Sequence, residues 1–240
     1  MTLTLDLHIH SAASHDGRMT LREIAQAAKA AGLDGVAVCD HDAVLTAPPE
    51  ADCGILIIPG AEFSTEHGHL LGLFLSEPIG KLPFAETVAA IRAQGGLAVL
   101  AHPFERSRDA QRLEPLVPLL DGIEVFNGRA ERKIRDANAL AQRFAEAHGL
   151  RPFAGSDAHL PREIGNGRVT IEADAPTLEA VKAALMTSAV TVSGRRGAAL
   201  DTARSQYTKL HKRGAGPARY LKWALFAAKC AAEDLLRGEH

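Results

Sequence analysis

Cysteine is scarce in this 240-residue chain: Cys39, Cys53 and Cys230 are an odd number with no CxxC spacing, which argues against a disulfide framework. Cys39 follows Val36-Ala37-Val38 and reads as a small apolar residue in a strand. Aromatic residues are few, eight Phe, two Tyr and one Trp, which limits base-stacking platforms. Neither sign of charge is in excess. Lys and Arg total 27 against 29 Asp and Glu, a formal net charge of −2, so no basic stripe for an extended duplex is expected. Nor does this balance demand an anionic membrane as partner. No run of about 18 apolar residues is present, and the opening Met-Thr-Leu-Thr-Leu-Asp-Leu lacks the basic then apolar pattern of a signal peptide. These absences together predict a reducing, cytoplasmic setting with no membrane partner.

What is there is an ordinary globular composition, 46% hydrophobic and 23% charged, at a length that builds one substantial core. Short β-like runs alternate with helical patterns. Strands are predicted at 3–7, 35–39, 54–58, 70–75, 97–100, 122–125, 152–154 and 168–171. Helices are predicted at 20–31, 84–94, 130–148 and 177–187, the first with a Thr20/Glu23 capping box and Gly32 as its stop. Repeated strand–helix–strand units imply a largely parallel sheet covered by helices. After Gly197 the composition shifts: residues 201–240 hold eight Lys/Arg against four Asp/Glu. The chain therefore divides into a barrel at 1–197 and a basic extension at 198–240, with a terminal helix from Pro217 to Arg237 carrying Leu221, Leu225, Ala228 and Leu235 near one face. That helix is expected to dock on the barrel; a homo-oligomer contact is the alternative.

Six clusters of His, Asp and Glu punctuate the chain beside apolar runs: His8-Ile-His10, Asp40-His41-Asp42, Glu62, His67-Gly-His69, Ala101-His102-Pro103 and Asp157-Ala-His159. Imidazole and carboxylate are the ligands taken by zinc, manganese and iron. In a strand, His8 and His10 point to one side, and Asp6 shares their parity and is expected to orient one ring. Ligands delivered from the ends of several strands suggest a β/α barrel, which gathers its active-site residues there. Glu62 to His69 reads as a local hairpin inserted beside the barrel mouth. Each cluster alone is ambiguous; their ordered coincidence at strand ends is poorly explained by packing.

The ordered segments DLHIHS, a turn ending in Asp16-Gly17, CDHDAV, GAEFS, HLLGLF, AHPF and GSDAH resemble the polymerase and histidinol phosphatase (PHP) superfamily. Gly122-Ile-Glu-Val-Phe-Asn-Gly-Arg129 is similar to the PHP-associated region of its small phosphoesterases. The resemblance runs from about residue 3 to 195. It implies a distorted seven-stranded α/β barrel of the PHP type, with a C-terminal helical extension, and two or three divalent ions, Mn, Zn or Fe. Carried over, it implies that His8, His10, Glu62 and Asp157 hold one ion. Glu62 then bridges to a second with His69 and His102, and Asp16, His41 and His159 hold a third. His69 is preferred to His67 because it opens HLLGLF, and His15 competes with Asp16 for one ligand position.

The chemistry expected of such a site is hydrolysis of a phosphate ester by a metal-bridged hydroxide. The resemblance favours a nucleotide-like phosphomonoester as substrate, including nucleoside 3′,5′-bisphosphates and short single-stranded nucleic-acid ends. The alternatives are phosphodiester or exonuclease cleavage and an amidohydrolase-type reaction. Asp157 is the expected proton acceptor, and His159 or a metal-bound water the expected donor to the leaving group. Arg129 is the first candidate for a substrate contact, since arginine forks phosphate. Arg162 is second, and Arg195 and Arg196 third. Asn127 contacts substrate or caps the following helix, and His67 faces the mouth.

Overall fold

A computed structural model describes residues 1–45 and 54–238. Cys53 lies outside the described residues. Nine strands form one sheet in the order β7-β6-β5-β4-β3-β2-β1-β8-β9. They are β1 (Thr2–Ile9), β2 (Gly35–His41), β3 (Leu56–Thr65), β4 (Gly68–Leu73), β5 (Leu97–Leu100), β6 (Gly122–Asn127), β7 (Pro152–Gly155), β8 (Gly167–Glu172) and β9 (Thr191–Gly194). The helices are α1 (Leu21–Ala30), α2 (Phe84–Ala93), α3 (Ala137–His148), α4 (Leu178–Thr187), α5 (Ala199–Lys212) and α6 (Pro217–Arg237).

The sheet curls until its ends nearly meet. The segment after β7 bonds to β1, with Asp157 N–H donating to the His8 carbonyl at 2.8 Å and His10 N–H to the Ala158 carbonyl at 2.9 Å. A distorted α/β barrel results, as expected. A cluster drawn from most strands, including Leu5, Leu7, Cys39, Ile58, Leu71, Leu73, Val99, Phe153 and Val169, fills the inside of the curved sheet. Ile24, Ala25 and Ala28 of α1 are buried, and its Thr20/Glu23 capping box forms in both directions.

Four expectations need correction. The sheet is not largely parallel: four of its pairings are parallel and four antiparallel. The cause is local. Glu66-His67 is too short a connection for a crossover, so β3 must turn back into β4. The Glu62–His69 hairpin is therefore a structural part of the barrel wall and not an insertion beside it. In the 130–148 stretch, a 3₁₀ turn at Ala130–Arg132 precedes an α-helix that begins only at Ala137. Finally, α6 docks through Phe226, Ala227 and Cys230 onto Ala199, Leu200 and Ala203 of α5, whereas Leu221, Leu225 and Leu235 are 67%, 69% and 65% exposed. The helix turns its leucines outward because Trp223 Nε1 donates to the Ala203 carbonyl at 2.7 Å and Asp234 accepts the free N–H groups of Ala199 and Leu200. Among the described residues no helix is long and apolar enough to cross a membrane.

Asp6 does not orient a histidine ring. Its carboxylate, fully buried, accepts backbone N–H groups from Ser156 at 2.9 Å and Gly165 at 2.8 Å, so it staples β1 to the chain beyond β7. Burial pushes this carboxyl up to about 6 despite those donors. Removing it leaves donors buried without partners. Asp6→Ala is expected to cost about 3–5 kcal/mol of stability, read as a lower urea midpoint with unchanged slope; a midpoint equal to that of the wild type counts against the staple.

Candidate metal centre

At the mouth of the barrel, side chains from β1, β2, β4 and the end of β5 converge on the Glu62 carboxylate of β3, which is 1% exposed. Its two oxygens face different partners. Oε1 lies 2.6 Å from His69 Nδ1 and 2.9 Å from His102 Nε2. Oε2 lies 2.8 Å from His41 Nδ1, 3.5 Å from His10 Nε2 and 3.7 Å from His8 Nε2. Asp157 Oδ1 is 3.2 Å from His10 Nε2. Asp16 Oδ1 sits between His159 Nε2 at 3.2 Å and His41 Nε2 at 3.4 Å. All the residues carried over as ligands thus meet in one place. His15 Nε2 also reaches Asp16 Oδ2 at 3.5 Å, so both neighbours in that turn stand at the cluster.

The surrounding residues fix which ring nitrogen faces inward. The Ser14 hydroxyl donates to Asp40 at 2.6 Å and accepts the His41 N–H at 3.1 Å, so it accepts from His10 Nδ1 at 3.0 Å and leaves His10 Nε2 bare. Glu124 Oε1 takes the Nδ1 proton of His8 at 3.0 Å, and Nε2 again faces the cluster. His159 Nδ1 donates to the Asp157 carbonyl at 2.9 Å, which frees its Nε2. Glu124 also accepts the His102 backbone N–H at 2.9 Å. Sequence reading missed Glu124 and Ser14. The signal for Glu124 was an acid between Ile123 and Val125 in an apolar strand.

Of the four non-glycine residues with left-handed backbone among the described residues, three lie at this mouth: Asp42 at φ 52°, His102 at φ 26° and Asp157 at φ 55°. Such conformations cost on the order of 1–3 kcal/mol each and persist where surroundings over-determine them. Here the Asp157 N–H is tied to β1, and Asp42 accepts the Ser64 N–H at 2.8 Å.

The donor set fits divalent ions. Buried atoms Glu62 Oε2, Asp16 Oδ1 and His15 Nε2 have no aligned hydrogen-bond partner, although ring nitrogens or carboxylate oxygens lie close to each. Close donors and acceptors without an aligned proton are what a cation-binding set shows. Compact groups of ligand atoms form at His8/His10/Glu62, at Glu62/His69/His102, at His10/His41/His159 and at His15/Asp16/His41. The electrostatics agree. Burial works against charge on His41 and His102, yet Asp16 and Glu62 hold His41 up to about 10, and Glu62 holds His102 up to about 9. Burial opposes charge on Glu62 and Asp157 too, but the surrounding imidazoles keep both well below the usual carboxylate range. His10 is driven down to about 3 by burial and by the charges of His159 and His41. The cluster wants positive charge that protons supply only unevenly, and divalent ions displace protons from such ligands.

The other expected site residues do not behave alike. Arg129 lines the cavity, but its fork is already engaged: Nε and Nη2 donate to Glu163 at 2.8 and 2.7 Å, and Nη1 to Ser205 Oγ at 3.0 Å. Glu163 Oε2 in turn accepts the N–H groups of His159 and Leu160, both at 3.0 Å. Asn127 also lines the cavity, with its amide spent on Glu124 at 3.0 Å and its oxygen on the Arg129 N–H at 2.9 Å. Arg162 is paired with Asp201 and, with Arg195 and Arg196, lines a separate cavity. His67 is half exposed at the β3–β4 turn and borders a neighbouring groove. Arg162 and His67 therefore fall outside the cluster cavity, because one follows an ion pair to α5 and the other sits at a hairpin tip whose alternate residue, His69, points inward.

A distorted β/α barrel with a carboxylate shared among buried histidines at its mouth is the architecture of a metal-dependent hydrolase. The PHP domain model matches residues 6–79 and the PHP-associated model residues 135–190. Two uncharacterized Methanocaldococcus jannaschii proteins are related: MJ1587, 36% identical over 51% of this chain and 80% of its own, and MJ0417, 32% identical over 70% of each. The fold is shared with a two-domain protein containing a predicted PHP-like metal-dependent phosphoesterase from Bacteroides vulgatus, with TM-score 0.63 and 19% identity over 87% of this chain and 70% of that one. It is also shared with the lesion-specific endonuclease PfuEndoQ from Pyrococcus furiosus, with TM-score 0.56 and 20% identity over 80% of this chain and 58% of that one. The chain belongs to the PHP family.

Outer-shell carboxylates that orient histidine ligands typically matter ten- to a hundredfold for affinity. Glu124→Ala is expected to weaken manganese or zinc binding by about that factor, with far-ultraviolet circular dichroism unchanged. Metal content after dialysis, by elemental analysis, is the measurement; full retention of metal by the variant defeats the orienting role.

Proposed function

We propose that this protein hydrolyses a phosphate ester, in the first instance a phosphomonoester of a nucleotide or short oligonucleotide end. His8, His10, Asp16, His41, Glu62, His69, His102, Asp157 and His159 would hold two or three Mn, Zn or Fe ions. The observation that carries this reading is the division of Glu62, with one oxygen toward His69 and His102 and the other toward His8, His10 and His41. When bound, such ions acidify water and neutralise phosphoryl oxygens.

The chain's own residues supply the rest. Asp157, beside His10 and 3.6 Å from His159 Nδ1, accepts the proton of the attacking water. His159 presents Nε2, the nitrogen that its bond to the Asp157 carbonyl leaves facing the cavity, as a ligand atom, and the leaving oxygen takes its proton from water in the cavity. Arg129 acts through Glu163: it holds the carboxylate that fixes the backbone at His159, and so is a positioning residue. Asn127 does the same for Glu124. The cavity over the cluster, about 410 Å³, suits a small phosphorylated molecule.

Phosphodiester cleavage is the second reading, supported by the shared fold with the lesion-specific endonuclease. An amidohydrolase reaction is less well supported, since a glutamate and not a lysine stands between the two histidine sets. With manganese, phosphate release from nucleoside monophosphates is expected, reduced about a thousandfold in Asp157→Asn and abolished in His41→Ala, both folded by circular dichroism. Cleavage of dinucleotides without release from monoesters would shift the assignment to a diesterase. No product from either panel defeats the phosphoesterase reading.

A further inference from the structure

Among the described residues six large apolar side chains are exposed, and four of them, Leu221, Leu225, Leu235 and Leu236, lie on α6. The other side of this helix is already used: Phe226, Ala227 and Cys230 pack on α5, and Trp223 and Asp234 bond to it. Helical periodicity puts the leucines opposite that contact. Ala218, Leu221, Leu225, Ala228, Ala232 and Leu235 recur at alternating steps of three and four, the seam of a helix that packs on another helix, and all six are exposed. The four leucines leave roughly 500 Å² of apolar surface in water on each copy, and the alanines carry the face toward the ~800 Å² per partner that a stable interface buries.

The order of large and small residues along this seam is self-complementary. A second copy of α6 can lie antiparallel to the first, with the two-fold axis crossing at the height of Phe226 and Ala227, the middle of Pro217–Arg237. Leu221 then meets Ala232 of the second copy, Leu225 meets Ala228, and Leu235 meets Ala218, and the symmetry supplies the same contacts in reverse. Every large side chain falls opposite a small one, the condition for facing helices to interdigitate. Lys222 and Lys229 flank the seam, where their stems lie along it and their ammonium groups stay in water. A lipid surface suits the face less well. Helices that enter a membrane interface do so with bulky Trp, Phe and Leu, but here Trp223 and Phe226 are turned to α5 and half of the seam is alanine.

The face stands on a fixed support. Lys212 Nζ, at the end of α5, donates to the carbonyls of Ala12 and Ser14, each at 2.7 Å. Arg129 reaches Ser205, and Arg162 holds Asp201. A partner meeting α6 therefore meets a helix that is already positioned, and little ordering opposes association.

We propose that the chain forms a two-fold homodimer through an antiparallel α6–α6 contact in which Leu225 of each copy packs on Ala228 of the other. Sedimentation velocity of the full chain is expected to show a dimer at micromolar concentration that dissociates on dilution. Leu225→Ala leaves small against small, and because the two-fold repeats the loss, the dimer is expected to weaken about a hundredfold. Ala228→Leu adds apolar surface yet sets large against large, and it too is expected to weaken the dimer. The double variant Leu225→Ala/Ala228→Leu exchanges the two sizes across the axis and is expected to return to within about threefold of the wild type. Leucine and alanine are both strong helix formers, so the fold is expected to hold in all three, as circular dichroism would check.

A wild type that stays monomeric at the highest concentration reached overturns the dimer, and pelleting of that monomer with phosphatidylserine vesicles would assign the face to lipid instead. Tighter association in Ala228→Leu marks indiscriminate apolar adhesion and overturns the specific contact. So does a double variant no better than the single ones, or a dimer that none of the substitutions weakens.

Discussion

A single buried carboxylate organises the mouth of this barrel. Glu62 is nearly inaccessible to water, and a lone charge there would be prohibitively expensive. It is tolerated because imidazoles from β1, β2, β4 and the end of β5 surround it. Those rings cannot all be protonated at once, since each raises the cost of charging the next. His41 and His102 take up protons easily while His10 gives them up, a mismatch that divalent ions held by these side chains would relieve. The hairpin that reverses β3 into β4 matters for the same reason, because it brings His69 to the opposite side of Glu62 from His8 and His10.

Around this centre lies a ring of residues whose work is orientation. Asp40 gathers the backbone N–H and hydroxyl groups of Ser11 and Ser14, and Ser14 then sets the tautomer of His10. Glu124 sets His8, and Glu163 with Arg129 sets the turn of His159. The left-handed backbone at Asp157 and His102 falls where the side chains proposed as ligands leave their strands, so local strain and side-chain direction are coupled. Precision comes from the network, since long side chains on loops would otherwise sample many rotamers.

Much of this was legible in the sequence. Alternation put His8 and His10 on one side of a strand, a capping box announced α1, and the ordered clusters announced a barrel whose strand ends converge. Other features were hidden for identifiable reasons. Parity placed Asp6 with the histidines, but the register shift within β1 after Asp6 breaks strict alternation, and the carboxylate turns to the closing seam. Glu124 was hidden by its apolar neighbours. Arg129 looked like a phosphate fork because its partner, Glu163, lies 34 residues away and joins it only in the fold. In α6 the conspicuous leucines suggested the docking face, whereas Phe226, Cys230 and two polar anchors form the contact. α5 carries so many polar residues that no amphipathic pattern singled out the side it turns to the barrel.

The grip of Lys212 on the carbonyls of Ala12 and Ser14 joins residues nearly two hundred positions apart. The peptide it holds is the same short loop that delivers His15 and Asp16. The distal end of the polypeptide is therefore not an appendage that could be exchanged for another. The length of the bridge from β9 to α5 sets where that lysine lands, and with it the posture of the loop. Insertions in this bridge would shift the lysine and, through it, the loop that carries His15 and Asp16.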